Sequence, residues 1–198
     1  MLKPVYSSTV RRIPSEAPVL RDWNVIVTVS EHGYKQAGHL LAPWGDIAKS
    51  NFYNVLLLRT VDPFAFLEKA QSEISSGTEF ATAISRLMPV EKKFSFQSPD
   101  EFEFKAKQEI RGWIPRLAGK KFHVRMHRRG FKGRMRSVDE EQFLDHFVMQ
   151  ELEARGETAT VTFDQPDVII ALESIGNDAG MSFWTRQDLA KFPVLKLD

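Results

Sequence analysis

Two apolar runs decide most of what this chain can fold into. Trp23 to Val29 reads Trp-Asn-Val-Ile-Val-Thr-Val, and Phe52 to Thr60 reads Phe-Tyr-Asn-Val-Leu-Leu-Leu-Arg-Thr. Both are nearly continuous rather than alternating, and each has the length of one strand, so both predict buried strands. Between them Ala37, Leu40, Leu41 and Trp44 recur at helical spacing, within limits set by Gly38 and Pro43. After them Asp62-Pro63 opens a helix, with Asp as N-cap and Pro in the first turn. Phe64, Leu67, Ala70 and Ile74 form its stripe, and Gly77 ends it. A third apolar stretch, Phe80 to Phe96, is broken at Pro89. The order strand, helix, strand, helix, strand predicts a small open α/β layer of ferredoxin-like type.

A second unit starts near Val90. Ser98-Pro99-Asp100-Glu101 has the pattern of a capping box ahead of Phe102, Ala106, Ile110, Trp113, Ile114 and Leu117. Pro115 and Gly119 stop that helix. Phe122 to Arg128 then alternates. Phe122, Val124 and Met126 predict a buried face, and His123, Arg125 and His127 an outer one. A second box, Ser137-Val138-Asp139-Glu140, precedes a helix carrying Phe143, Leu144, Phe147, Val148 and Leu152. Thr158 to Phe163 reads as a strand, Val168 to Glu173 and Met181 to Thr185 as a hairpin, and Gln187 to Lys191 as a helical turn. The fold class expected is α+β. An arm covers 1–20, a ferredoxin-like α/β domain 21–89, and a second α/β domain 90–198.

The charge pattern speaks to function. The net charge is +1, yet Gly119 to Arg136 holds Lys120, Lys121, Arg125, Arg128, Arg129, Lys132, Arg134 and Arg136 with no acidic residue. Folding gives no reason to crowd like charges. A strand face continuing into a loop with Gly130 and Gly133, then into a helix start, suits phosphate. Arginines outnumber lysines in this strip, and Arg both forks to phosphate and stacks on bases. The candidate RNA-binding residues are Arg125, His127, Arg128, Arg129, Lys132, Arg134 and Arg136, with Lys92, Lys93, Lys120 and Lys121 extending the track. Phe131 and His127 are candidates to stack on an unpaired base, and the two histidines to bind better when protonated. Gly130-Phe131-Lys132-Gly133 matches the GXXG clamp of KH domains, but it leaves a strand rather than joining two helices.

Other classes are excluded or left without support. There is no cysteine, so disulfides, zinc-thiolate sites and Cys nucleophiles are ruled out. Residues 1–20 hold no signal-peptide run, and no apolar stretch is long enough to span a bilayer. A cytoplasmic protein is expected, with no membrane partner. No Walker, GxGxxG, HExxH or GxSxG pattern occurs, so no cofactor and no catalytic residue is expected. His123 and His127 share a face, but Arg125 lies between them, so no metal is expected either.

Four segments in order resemble the THUMP domain, an RNA-binding module of tRNA-modifying proteins. They are Leu87 to Phe94, Phe122 to Gly130 (Phe-His-Val-Arg-Met-His-Arg-Arg-Gly), Val161 to Ile170 (with Pro166-Asp167) and Ala179 to Phe183. The likeness covers roughly Val90 to Thr185. It implies a ferredoxin-like domain packed on THUMP and a grip on the acceptor end of tRNA. The layout is similar to the tRNA acetyltransferase adaptor type. With no further domain after Asp198, the resemblance implies a non-catalytic adaptor whose partners are tRNA and a separate modifying enzyme. Two other readings stay open: a basic strip that docks an acidic protein, and an enzyme with a pocket between its domains.

Overall fold

A computed structural model describes residues 20–197. The arm read over 1–20 therefore lies, but for Leu20, outside the described residues.

The first half holds β1 (Val25–Val29), α1 (Tyr34–Leu41), β2 (Gly45–Lys49), β3 (Val55–Thr60), α2 (Pro63–Ser75), α3 (Glu79–Ala83) and β4 (Ile84–Pro89). The sheet order is β2-β3-β1-β4, antiparallel throughout. This is the ferredoxin-like arrangement. The predicted helix start holds: Asp62 Oδ1 accepts from the backbone N–H groups of Phe64 and Ala65 at 3.0 and 2.9 Å. β2 is an addition to the sequence reading. It is a largely exposed edge strand, begun by Gly45 at φ +153°, where a Cβ would lie 1.9 Å from the Arg59 carbonyl oxygen.

The second half holds β5 (Lys92–Ser95), α4 (Pro99–Arg111), α5 (Ile114–Leu117), β6 (Lys121–Arg129), α6 (Ser137–Glu153), β7 (Thr160–Val161), β8 (Val168–Ile175), β9 (Asp178–Thr185) and α7 (Arg186–Lys191). The sheet order is β5-β9-β8-β6-β7, with β6 parallel to both of its neighbours. At the start of α4, Ser98 Oγ accepts from the Glu101 N–H at 3.2 Å, and the Glu101 carboxylate accepts from the Gln97 N–H at 2.8 Å. Half of the capping box forms as read, and the glutamate reaches one residue further back.

β8 joins the two halves. It is buried along its whole length. Val168, Ile170 and Leu172 pack into the core under α4, α5 and α6, while Ile169, Ala171 and Ile175 pack into the core of the first sheet. Phe192, Val194, Leu195 and Leu197 return to that same first core.

β6 has an edge problem, because β7 pairs only with Lys121 and Phe122. Carboxylates of α6 solve it. Asp145 Oδ1 accepts from the Val124 N–H at 2.8 Å, and Glu141 Oε1 from the Met126 N–H at 2.7 Å. These acids are buried rather than displayed to solvent. An unpaired N–H on a buried strand edge is costly, and an acceptor one helix away removes that cost.

Candidate nucleic-acid interface

β6 sends Phe122, Val124 and Met126 into the second core and turns Lys121, His123, Arg125, His127 and Arg129 to the opposite face. That face is not uniformly open. His123 is buried, and its Nδ1 lies 2.9 Å from the Thr162 carbonyl oxygen. His127 is half-buried, with Nδ1 3.5 Å from Glu173 Oε1. Burial pushes the pKa of both imidazoles down; the cations Arg86 and Arg129 press further on His127, and Arg125 on both. Protonating either ring therefore costs more than for an exposed histidine, which counts against the reading of the two imidazoles as cations that grip phosphate.

Arg129 is corrected as well. Its Nη1 lies 2.5 Å from Glu173 Oε2, and Arg86 Nη1 of β4 lies 2.5 Å from Glu173 Oε1. Glu173 is 1% exposed. A carboxylate buried that deeply has to be paired, and it takes one arginine from each sheet. Arg86 also donates through Nε to the Leu195 carbonyl at 2.7 Å. Arg129 thus serves the joint between the sheets. Lys93 is spent on the fold too. It donates to the carbonyls of Arg21 and Trp23 and sits 4.6 Å above the Trp23 ring, and burial lowers its pKa.

The remaining cations keep a surface role. Lys120, Lys121, Lys132, Arg134 and Arg136 are exposed. Arg125 is half-buried without an acidic partner among the described residues. Arg128 donates to the Gly130 carbonyl and is half-buried. Lys92 is exposed and 3.9 Å from Glu109, and Arg136 lies 3.6 Å from Asp139.

The loop after β6 departs from its reading in three places. Phe131 packs on Phe96, ring centroids 4.8 Å apart, and the Arg134 guanidinium lies 4.8 Å from its ring centroid, so it is no open stacking platform. Gly130, at φ +110°, would place a Cβ 3.0 Å from the Gly176 Cα. It lets two turns touch rather than letting an anion in. At α6 the N-cap is Arg136, and Ser137 makes no capping bond. The second capping box does not form.

Sequence reasoning missed Arg86, Glu141, Asp145 and Glu173. Glu173 had a signal: a carboxylate inside a continuous apolar strand, Val-Ile-Ile-Ala-Leu-Glu, needs a buried cation. It also missed Phe163, which is 66% exposed and tilts against the His123 ring, centroids 4.8 Å apart.

No family model and no curated protein matches the chain. Solved structures do. PH1313 from Pyrococcus horikoshii matches at 13% identity and a TM-score of 0.53, over 81% of this chain and 54% of that one. TrmN from Thermus thermophilus matches at 16% and 0.54, over 81% of this chain and 44% of that one. A predicted N6-adenine-specific DNA methylase from Listeria monocytogenes matches at 12% and 0.50, over 81% and 40%. The chain therefore spans about half or less of the length of each.

At that identity the likeness establishes the fold, which is α+β and THUMP-like. It also overturns the expectation of a chain without catalysis. The matched chains include a predicted N6-adenine-specific DNA methylase, a possible methylase and a putative methyltransferase complexed with SAH, so the expectation of a non-catalytic chain is withdrawn. The absence of a further domain after Asp198 is withdrawn as a ground against catalysis. Among the described residues no helix is long and apolar enough to cross a membrane.

Proposed function

We propose that this chain is the RNA-gripping part of a cytoplasmic tRNA-modifying enzyme, holding the acceptor end while a catalytic unit acts. The observation that carries the reading is the cationic track left after the structural cations are removed. Lys120 and Lys121 stand at the start of β6, Arg125 midway, and Arg128, Lys132, Arg134 and Arg136 at its end and beyond. A nine-residue strand spans about 30 Å, enough for several phosphates in succession. Lys92 is left out of it: its register through Met181 and Leu172 to Met126 puts it on the helix-covered face of the sheet, opposite Arg125. The resemblance to THUMP domains, together with a fold of that type, supports tRNA as the RNA.

The test is a gel shift with total tRNA, the same tRNA trimmed of its single-stranded end, and an acidic protein of equal charge. Intact tRNA should bind best. Equal binding of the acidic protein would refute the reading and favour a protein-docking surface.

A further inference from the structure

A cleft of about 490 Å³ lies beside the track, between the outer face of β6 and β8 and the segment after α7. Its walls include His123, Phe163, Ile169, Arg186, Leu189 and Leu195. That volume suits one small ligand. Three features narrow the ligand. The Phe163 ring is mostly exposed, while most of the other phenylalanines lie in the two cores. His123 donates its Nδ1 proton, because the Thr162 carbonyl can only accept. Burial lowers the pKa of the ring and so favours its neutral form. Nε2 is then a bare acceptor, and no donor among the described residues meets it. The floor, from Ile169, Leu189 and Leu195, is apolar. Arg125 stands two positions along β6 on the same face as His123, unpaired among the described residues.

A flat ring to stack on, a lone acceptor that wants an N–H, an apolar floor and a cation beside them fit one kind of ligand. We propose that the cleft holds a single unpaired nucleobase, stacked on Phe163, donating an N–H from its edge to His123 Nε2, with its phosphate toward Arg125. Every base but an unsubstituted purine offers such an N–H. The proposal rests on the RNA-binding reading for the source of the base, since a free nucleotide offers the same chemistry.

The experiment titrates the whole chain with adenosine 5′-monophosphate, purine riboside 5′-monophosphate and ribose 5-phosphate, and separately with tRNA. Adenosine monophosphate should bind best, the purine analogue less well, and ribose phosphate least. Phe163→Ala should weaken adenosine monophosphate and tRNA by about tenfold, as expected for one lost base–aromatic stack. Phe163→Trp should restore binding. Because the ring is exposed, the thermal midpoint should not move. Equal binding of all three small ligands, or no effect of Phe163→Ala on any of them, overturns the proposal. If tRNA binds and none of the base effects appear, the cleft proposal fails while the RNA reading stands. If adenosine monophosphate behaves as expected and tRNA does not bind, the base site stands and its source is the free nucleotide.

Discussion

Glu173→Gln is the substitution that most directly probes how the two sheets are held. The carboxylate is 1% exposed and meets a guanidinium at 2.5 Å on each oxygen, Arg86 from β4 and Arg129 from β6. Gln keeps the shape and removes the charge. It leaves Arg86, whose side chain is 7% exposed, and Arg129, at 18%, as two cations facing each other across a neutral amide. Removing one partner from a buried ion pair costs about 3–5 kcal/mol, because the other charge stays desolvated. In a chain of this size each kcal/mol moves the thermal midpoint by about 2–4 °C, so a drop of roughly 6–20 °C is expected. Arg129→Gln should cost less, since Arg86 still pairs with Glu173. The assay is thermal unfolding by circular dichroism at neutral pH, with tRNA binding measured below the transition. A Glu173→Gln midpoint within about 2 °C of the parent would refute the reasoning and return Arg129 to the surface set.

The combined Lys132→Glu, Arg134→Glu and Arg136→Glu variant should lose tRNA affinity with its midpoint unchanged. If six contacts form on single-stranded RNA, log affinity falls with log salt at a slope of about −4, and losing three should bring the slope to about −2. Burial, with Glu103, Asp139 and Asp100 nearby, pushes Glu140 up to about 7. A carboxyl with a raised folded pKa stabilises while protonated, and that stability is lost as pH rises from its ordinary value of 4.5 through about 7. Glu140→Gln should therefore leave the midpoint near that of the parent at about pH 5 and raise it by a few degrees at about pH 8.5; an offset constant with pH would count against this. Gly130→Ala should destabilise by about 1–3 kcal/mol, read as a lower denaturant midpoint. Gly133→Ala, at φ +78° with open space around it, should cost less.

Local features were legible in the sequence, and pairings between distant residues were not. β1, β3, α2 and α4 announced themselves through continuous apolar runs and caps whose partners lie within a few positions. β2 did not, because an exposed edge strand of Gly-Asp-Ile-Ala-Lys needs no apolar face and takes its place from the free edge of β3. The basic strip was visible as a count, but its members are not equivalent. Arg129 is set apart from Lys132 chiefly by Glu173, forty-four positions away. Nothing local in the sequence marks Glu141 and Asp145 as buried acids. Their burial follows from a strand edge that β7 is too short to cover. Ser137 carried a capping pattern, and Arg136 took the N-cap position instead.

The return of residues 192–197 to the first core has a consequence for how the protein is made. Arg86 and Leu195 meet across 109 positions of chain. During synthesis the first sheet emerges with Arg86 uncompensated and the wall later supplied by Phe192, Val194, Leu195 and Leu197 missing. At about 5–20 residues per second, that half-built state lasts for roughly 5–20 s. The nascent chain thus presents an apolar, charged face to its surroundings for far longer than local folding takes.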